Sequence, residues 1–131
     1  MKKSIKSTNY SKYNNKRVKV CGKDFDSKHE AERYLLLLSM QREGRISDLR
    51  LQVPFELIPT QREPDIIGPR GGVKPGRCIE KACVYYADFV YKDKDGNTVV
   101  EDAKSPATRT ETYKIKKKLM LYLNKIKIKE V

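Results

Sequence analysis

The stretch that most constrains this chain is VYYADFVYKDKDGNTVVEDAK, Val84 to Lys104. Two runs rich in β-branched and aromatic residues, Val84 to Lys92 and Thr98 to Lys104, flank Asp93-Lys94-Asp95-Gly96-Asn97, which is the pattern of a β-hairpin. A three-residue loop, Lys94-Asp95-Gly96, with the glycine left-handed as a bulge, suits this turn. Asp93 then pairs with Asn97, and equal steps outward set Asp88 opposite Asp102, their Cβ atoms about 4.5–5.5 Å apart on one face. Lys104 follows on that face roughly 6.7 Å further along. A two-residue Asp95-Gly96 turn would slip the register by one and send Asp88 and Asp102 to opposite faces.

Directly opposed carboxylates destabilise a hairpin unless something neutralises them. A divalent cation does so, and an oxygen-only donor set with room for waters and a phosphate describes magnesium better than zinc. The chain has only one histidine, His29, which leaves little for a zinc site. A cation held by Asp88 and Asp102, with Lys104 positioning a water or a phosphate, predicts phosphodiester hydrolysis. Glu101 competes with Asp102 for the ligand role, although alternation sends it to the other face.

Elsewhere the chain reads as one domain. Residues 1–16 are Lys, Ser and Asn with scattered Tyr and no apolar period, and are expected to form a flexible basic arm before a single domain over 17–131. Arg17 to Val20 reads as a sheet-edge strand entering a turn. Ser27-Lys28-His29-Glu30 has the form of a capping box, and Ala31, Tyr34, Leu35 and Leu38 follow at helical spacing until Gly44. The segment LRLQVPFELI, Leu49 to Ile58, alternates so that Leu49, Leu51, Val53 and Phe55 share a face, with Pro54 marking an edge strand or a bulge. Pro59 to Arg77, rich in Pro, Gly and Arg, reads as a long exposed loop. Thr108 or Thr110 caps a helix carrying Ile115, Leu119, Met120 and Leu123, and a last strand begins near Lys125.

Lys and Arg number 29 against 17 Asp and Glu, a net charge of +12. A field of that sign seeks polyanions. Cys21, Cys78 and Cys83 form no CxxC pair, as expected of reduced thiols in the cytoplasm. The longest apolar run, Leu35 to Leu38, is far too short to span a bilayer, so no membrane partner is expected.

Asp88 followed, after a hairpin, by Asp102-Ala103-Lys104 resembles the PD-(D/E)XK nuclease signature. The ordered set KYNNK, FDSKHEAERY, LQVPFEL, YYADFVY, VVEDAKS and a Lys-rich terminal helix is similar to small phage and prophage nucleases of that superfamily, from Lys12 onward. Ala87 stands where the superfamily name has proline, Ala103 where a larger apolar residue is common, and Ser105 where glycine is frequent. The resemblance implies an α/β, restriction-endonuclease-like core, a central mixed β-sheet flanked by helices. It further implies Mg2+ or Mn2+ as cofactor, DNA as substrate, and a helix-borne glutamate, here Glu30, beside Asp88 and Asp102. The expected metal ligands are thus Asp88, Asp102 and Glu30, with Lys104 completing the catalytic set.

Each of these residues also has a plainer explanation. The cap alone accounts for Glu30, and a salt bridge to Asp102 for Lys104. Gln52 is either a neighbour of the metal site or an exposed strand residue. Arg70, Lys74 and Arg77 in the loop, and Lys114, Lys117 and Lys118 on the last helix, are candidate DNA contacts or solvated charges. The rivals to a metal-dependent endonuclease are a non-catalytic nucleic-acid-binding protein with the same fold and a basic structural protein. One site cuts one strand, so double-strand cleavage would call for a homodimer.

Overall fold

The structure, a computed structural model, describes residues 17–131; the basic arm expected at 1–16 lies outside the described residues. In chain order the elements are β1 (Val18–Val20), β2 (Lys23–Phe25), α1 (Lys28–Arg42), β3 (Ser47–Ile58), β4 (Gln61–Arg62), β5 (Ile66–Ile67) and β6 (Val73–Lys74). There follow β7 (Cys78–Glu80), β8 (Cys83–Lys92), β9 (Thr98–Asp102), a 3-10 turn (Pro106–Thr108), α2 (Glu111–Asn124) and β10 (Lys129–Glu130). The central sheet runs β10-β9-β8-β3. It is mixed because β10 lies parallel to β9 while the other two pairs are antiparallel. The fold is therefore mixed α/β, with α1 packed on one face and α2 on the other.

The β8–β9 hairpin has the register expected of a three-residue loop. Phe89 pairs with Glu101, Val90 with Val100 and Lys92 with Thr98, and Asp93 N–H donates to Asn97 O at 3.0 Å. The Asp93 Oδ1 atom accepts from Asp95 N and Asn97 N, both at 2.9 Å, which closes the turn from inside. Gly96 takes φ +80°, a conformation that a Cβ would strain.

Helix α1 starts where Ser27 Oγ accepts from Glu30 N at 3.1 Å. It ends at Arg42, and the left-handed Gly44 (φ +75°) turns the chain so that Arg45 N–H closes back on Met40 O. Its inward residues Ala31, Tyr34 and Leu37 pack with Phe25, Ile46, Phe89 and Tyr91. Across the sheet, Tyr113 and Met120 of α2 join Leu57, Tyr85, Ala87, Val90, Val100 and Ile128. Pro54 does sit in an edge strand, since β3 ends the sheet, where a missing donor is tolerated.

Several expectations are corrected. Val18–Val20 is an edge strand entering a turn, as expected, but in a two-stranded sheet with β2 that is separate from the main one, and Val18, Val20 and Phe25 pack into the α1 cluster. The stretch after Ile58 is not an irregular loop but a β-arm, in which β4 pairs with β7 and β5 with β6. Ile115 and Leu123 of α2 are exposed, because Lys116 and Lys117 occupy the inner side through bonds to Val84 O and Glu130. The last strand is only Lys129–Glu130, Lys125 being a left-handed helix cap.

The four apolar residues of β3 do not share one core. Leu49 and Leu51 pack in the α1 cluster, Val53 and Phe55 in the α2 cluster; along β8, Phe89 and Tyr91 go with the former, Tyr85 and Ala87 with the latter. Strict alternation would keep them together. The changeover lies between the paired residues Leu51–Phe89 and Val53–Ala87, at Gln52, whose φ is +49°. Among the described residues no helix is long and apolar enough to cross a membrane.

Because the register rests on the turn, Gly96→Ala should destabilise the fold by about 1–2 kcal/mol, measured as a lower denaturant midpoint with unchanged m-value. An unchanged midpoint would mean that the turn does not hold the hairpin.

Candidate active site

Asp88 and Asp102 face each other one step beyond the Phe89–Glu101 pair. Asp88 Oδ2 accepts from Ala103 N at 3.0 Å, and its Oδ1 accepts from Gln52 Nε2 at 3.1 Å. Asp102 is only 2% exposed, and its Oδ2 accepts from the Tyr85 hydroxyl at 2.5 Å. Among the described residues Asp102 Oδ1 is buried without a hydrogen-bond partner, although Lys104 Nζ lies 3.1 Å away as an ion pair. The contact therefore supplies charge but not hydrogen-bond geometry. Lys104 Nζ also sits 4.4 Å from the centroid of the Tyr113 ring, a cation–π contact that fixes the ammonium.

Glu30 stands one step behind. Gln52 Nε2 reaches its Oε1 at 3.3 Å while also holding Asp88, so the amide links the helix carboxylate to the sheet carboxylate. The Ser27 half of the cap is formed, and the Glu30 carboxylate turns toward Gln52. Burial, then the nearby Asp26, raises the Glu30 pKa. For Asp88, burial, the facing Asp102 and Glu30 together push the carboxyl up to about 8.

Glu101 and Asp102 are neighbours with different partners. Glu101 is fully buried on the α1 side and takes a bidentate pair from Arg33, Nη2 to Oε1 at 2.6 Å and Nε to Oε2 at 2.9 Å. The Tyr91 hydroxyl adds a further bond. Burial alone would raise its pKa, yet Arg33 and Tyr91 outweigh it and the net direction is down. This carboxylate is committed to holding α1 on the sheet.

A hollow of about 260 Å³ opens over Asp88, Asp102 and Lys104, with Thr110, Tyr113 and Lys116 of the α2 region as its far wall. A larger hollow, about 640 Å³, lies on the β-arm; the converging carboxylates belong to the smaller one. Among the described residues no group of three or more His, Cys, Asp or Glu side chains forms a ready-made metal site. The donors are two facing carboxylates with one buried oxygen unpartnered, and Glu30 reaches them only through Gln52. Two carboxylates fit magnesium or manganese, which keep several waters and need few protein ligands.

The candidate cationic contacts separate in space. Lys117 is tied to Glu130 and Lys114 to Glu111 at 3.0 Å, while Lys118 is exposed. Arg70, Lys74 and Arg77 all lie exposed on the β-arm. Gln52 proved central, and the β3–β8 register, which sets it across from Asp88, is the signal that finds it. Tyr85 and Arg33 carried no sequence signal, since their partners lie on different elements.

The fold and site define a mixed α/β protein with a pair of carboxylates and a lysine brought together at its central hairpin. The chain belongs to the DUF1064 family, described as proteins of unknown function, which matches it over residues 10–130. No curated protein and no solved structure matches it.

Two outcomes follow from this geometry. Glu101→Gln should lower stability by about 3–5 kcal/mol, because a half-buried Arg33 loses its partner, whereas Asp102→Asn should lower it far less in chemical denaturation; the reverse order would make Asp102 the structural residue. For Asp88, a folded pKa near 8 lies above the unfolded carboxyl value of about 3.9. The native state therefore binds the extra proton, and its stabilising effect is complete below about pH 4, falls through the window and is gone above about pH 8. In EDTA, wild-type stability should decline across that window more steeply than that of Asp88→Asn; parallel curves would show that Asp88 does not hold the proton.

Proposed function

We propose that this protein is a metal-dependent endodeoxyribonuclease of the PD-(D/E)XK kind, and that its mixed sheet with one helix on each face is a restriction-endonuclease-like core. The observation that carries the reading is the facing of Asp88 and Asp102 across a hairpin, with an unpartnered buried oxygen on Asp102 and Lys104 Nζ 3.1 Å away. Two facing carboxylates repel one another when both are ionised, and a divalent cation held between them would relieve that repulsion.

Asp88 and Asp102 would hold Mg2+ or Mn2+, which when bound supplies Lewis acidity and lowers the pKa of a coordinated water. Lys104, steadied by the Tyr113 ring, is placed to bind a phosphoryl oxygen or orient the attacking water. Gln52 fixes the rotamer of Asp88 through Oδ1, and Ala103 N–H fixes it through Oδ2. Tyr85 orients Asp102 from the buried side. Glu30, through Gln52, acts as a positioning residue rather than as a direct partner of the two aspartates. The net charge of +12 gives the field that draws the polyanion in.

The test is nicking of supercoiled plasmid with magnesium, manganese or EDTA. Wild type should nick only with metal, leaving 5′-phosphate and 3′-hydroxyl ends, and Asp102→Asn should lose at least about 100-fold in rate, the scale of several kcal/mol of lost charge stabilisation. Metal-independent binding without cutting by either protein would favour the non-catalytic binder.

A further inference from the structure

Away from the carboxylate pair, the feature with least evident purpose in the folded chain is the β-arm between β3 and β8. Among the described residues its strands pair only with one another, β4 with β7 and β5 with β6, and two-stranded ribbons alone are marginal in water. The arm is nevertheless built to a definite shape. Glu63 N–H donates to Arg77 O at 2.9 Å, Arg62 Nη1 to Gly76 O at 3.2 Å, and Gly76 N–H to Asp65 Oδ1 at 3.2 Å. Gly76 is buried against the opposite strand so closely that a Cβ there would lie 1.8 Å from Glu63 O.

What this base holds out is unusual for a soluble surface. At the tip, Gly68 N–H bonds to Gly72 O at 2.8 Å around Pro69-Arg70-Gly71, with Arg70 exposed at the apex. Ile67 pairs with Val73 and Ile66 with Lys74, and Ile67, Val73 and Ile66 are 75%, 65% and 61% exposed. From Ile66 to Ile79 the sequence IIGPRGGVKPGRCI carries three cations, no carboxylate, and no Asn, Gln, Ser or Thr. The arm's carboxylates, Glu63, Asp65 and Glu80, all stand at its base.

We propose that this arm is a minor-groove wedge: Arg70, Lys74 and Arg77 seat the ribbon on the phosphates, and the Ile67–Val73 pair presses against a base step and unstacks it. The inference rests on the reading of DNA as the partner. Charge complementarity selects a polyanion, and the exposed aliphatic tip selects a duplex rather than a phosphate-bearing small molecule. Apolar wedges flanked by basic residues are how proteins pry steps apart from the minor groove. With its cations engaged on phosphates and no amide or hydroxyl side chain beside them, the tip recognises deformability rather than sequence. The preferred substrate is therefore DNA whose stacking is already weakened, such as a mismatch, a flap or a branch point.

The experiment measures binding by fluorescence anisotropy in EDTA, so that no cutting occurs, to a 30-base-pair duplex (about three helical turns) with or without a central mismatch. Wild type should bind the mismatched duplex at least about tenfold more tightly. The double variant Ile67→Ser, Val73→Ser, which alters only exposed side chains, should lose the preference, binding both duplexes within about twofold of each other, while keeping the wild-type salt slope. Arg70→Ala should weaken both duplexes and reduce the salt slope by about 1. A preference that survives in the serine variant overturns the wedge while leaving metal-dependent nicking untouched. Loss of self-association in the serine variant, with DNA binding unchanged, would also overturn it and assign the tip to a second copy of the chain. Absence of nicking together with an intact, tip-dependent preference would instead remove the nuclease reading and keep the wedge.

Discussion

The geometry of the carboxylate pair depends on a single register, and that register depends on one closed turn. Asp93 uses its backbone to pair with Asn97 and its carboxylate to bind the two amides that cross the loop, while Gly96 supplies the left-handed residue that lets three loop residues reverse the chain. From there the count is forced: side chains alternate with period two, so a step outward to Asp88 on one strand is a step to Asp102 on the other. A one-residue slip would separate the two aspartates and bring Glu101, now held by Arg33, out of its buried pair. The ion pair beneath the sheet and the closed turn thus enforce the register that sets the acidic pair above it.

This arrangement divides labour between adjacent residues. Glu101 contributes to holding α1 and is spent entirely on Arg33, Tyr91 and Lys129. Asp102 is equally buried but incompletely satisfied, and the groups around it, Tyr85, Lys104 and Asp88, orient it toward the hollow beneath α2. Buried polar groups are ordinarily satisfied, so the contrast within one dipeptide is more telling than either residue's burial alone. The C-terminal strand reinforces it: Val131 N–H donates to Asp102 O at 3.0 Å and Lys104 N–H donates to Val131 O at 3.2 Å, holding the backbone of both residues on the far side of β9.

Much of this was legible in the residues because it is local or periodic. The hairpin, its turn type, the facing aspartates, the Ser27 cap and the stop at Gly44 each follow from a few contiguous residues. What was not legible depends on elements meeting in space. Nothing near Arg33 marks it as the partner of Glu101, which is 68 positions away, and nothing near Tyr85 marks it as a donor to Asp102. The inner face of α2 departs from its apolar stripe for a related reason: Ile115 and Leu123 fit helical spacing, but the inner side is shared by lysines whose ammonium groups find Val84 O and Glu130. Turn-rich composition likewise concealed the β-arm, whose Pro and Gly residues serve short strands rather than irregular loop.

Gln52 joins the two halves of the problem. Strand β3 must cover the α1 cluster with Leu49 and Leu51 and the α2 cluster with Val53 and Phe55, which an evenly alternating strand cannot do. The left-handed φ at Gln52 accompanies that change of face, and left-handed conformations at non-glycine residues persist only where surroundings over-determine them. Here the surroundings are the two carboxylates that the Gln52 amide binds at once, Glu30 from the helix and Asp88 from the sheet. The same residue therefore lies where the two cores exchange partners and where the helix carboxylate is connected to the acidic pair. A side chain with one carboxylate-binding amide suits that place: asparagine would fall a methylene short, and glutamate would add a fourth carboxylate to Glu30, Asp88 and Asp102, which already crowd the site enough to raise Asp88.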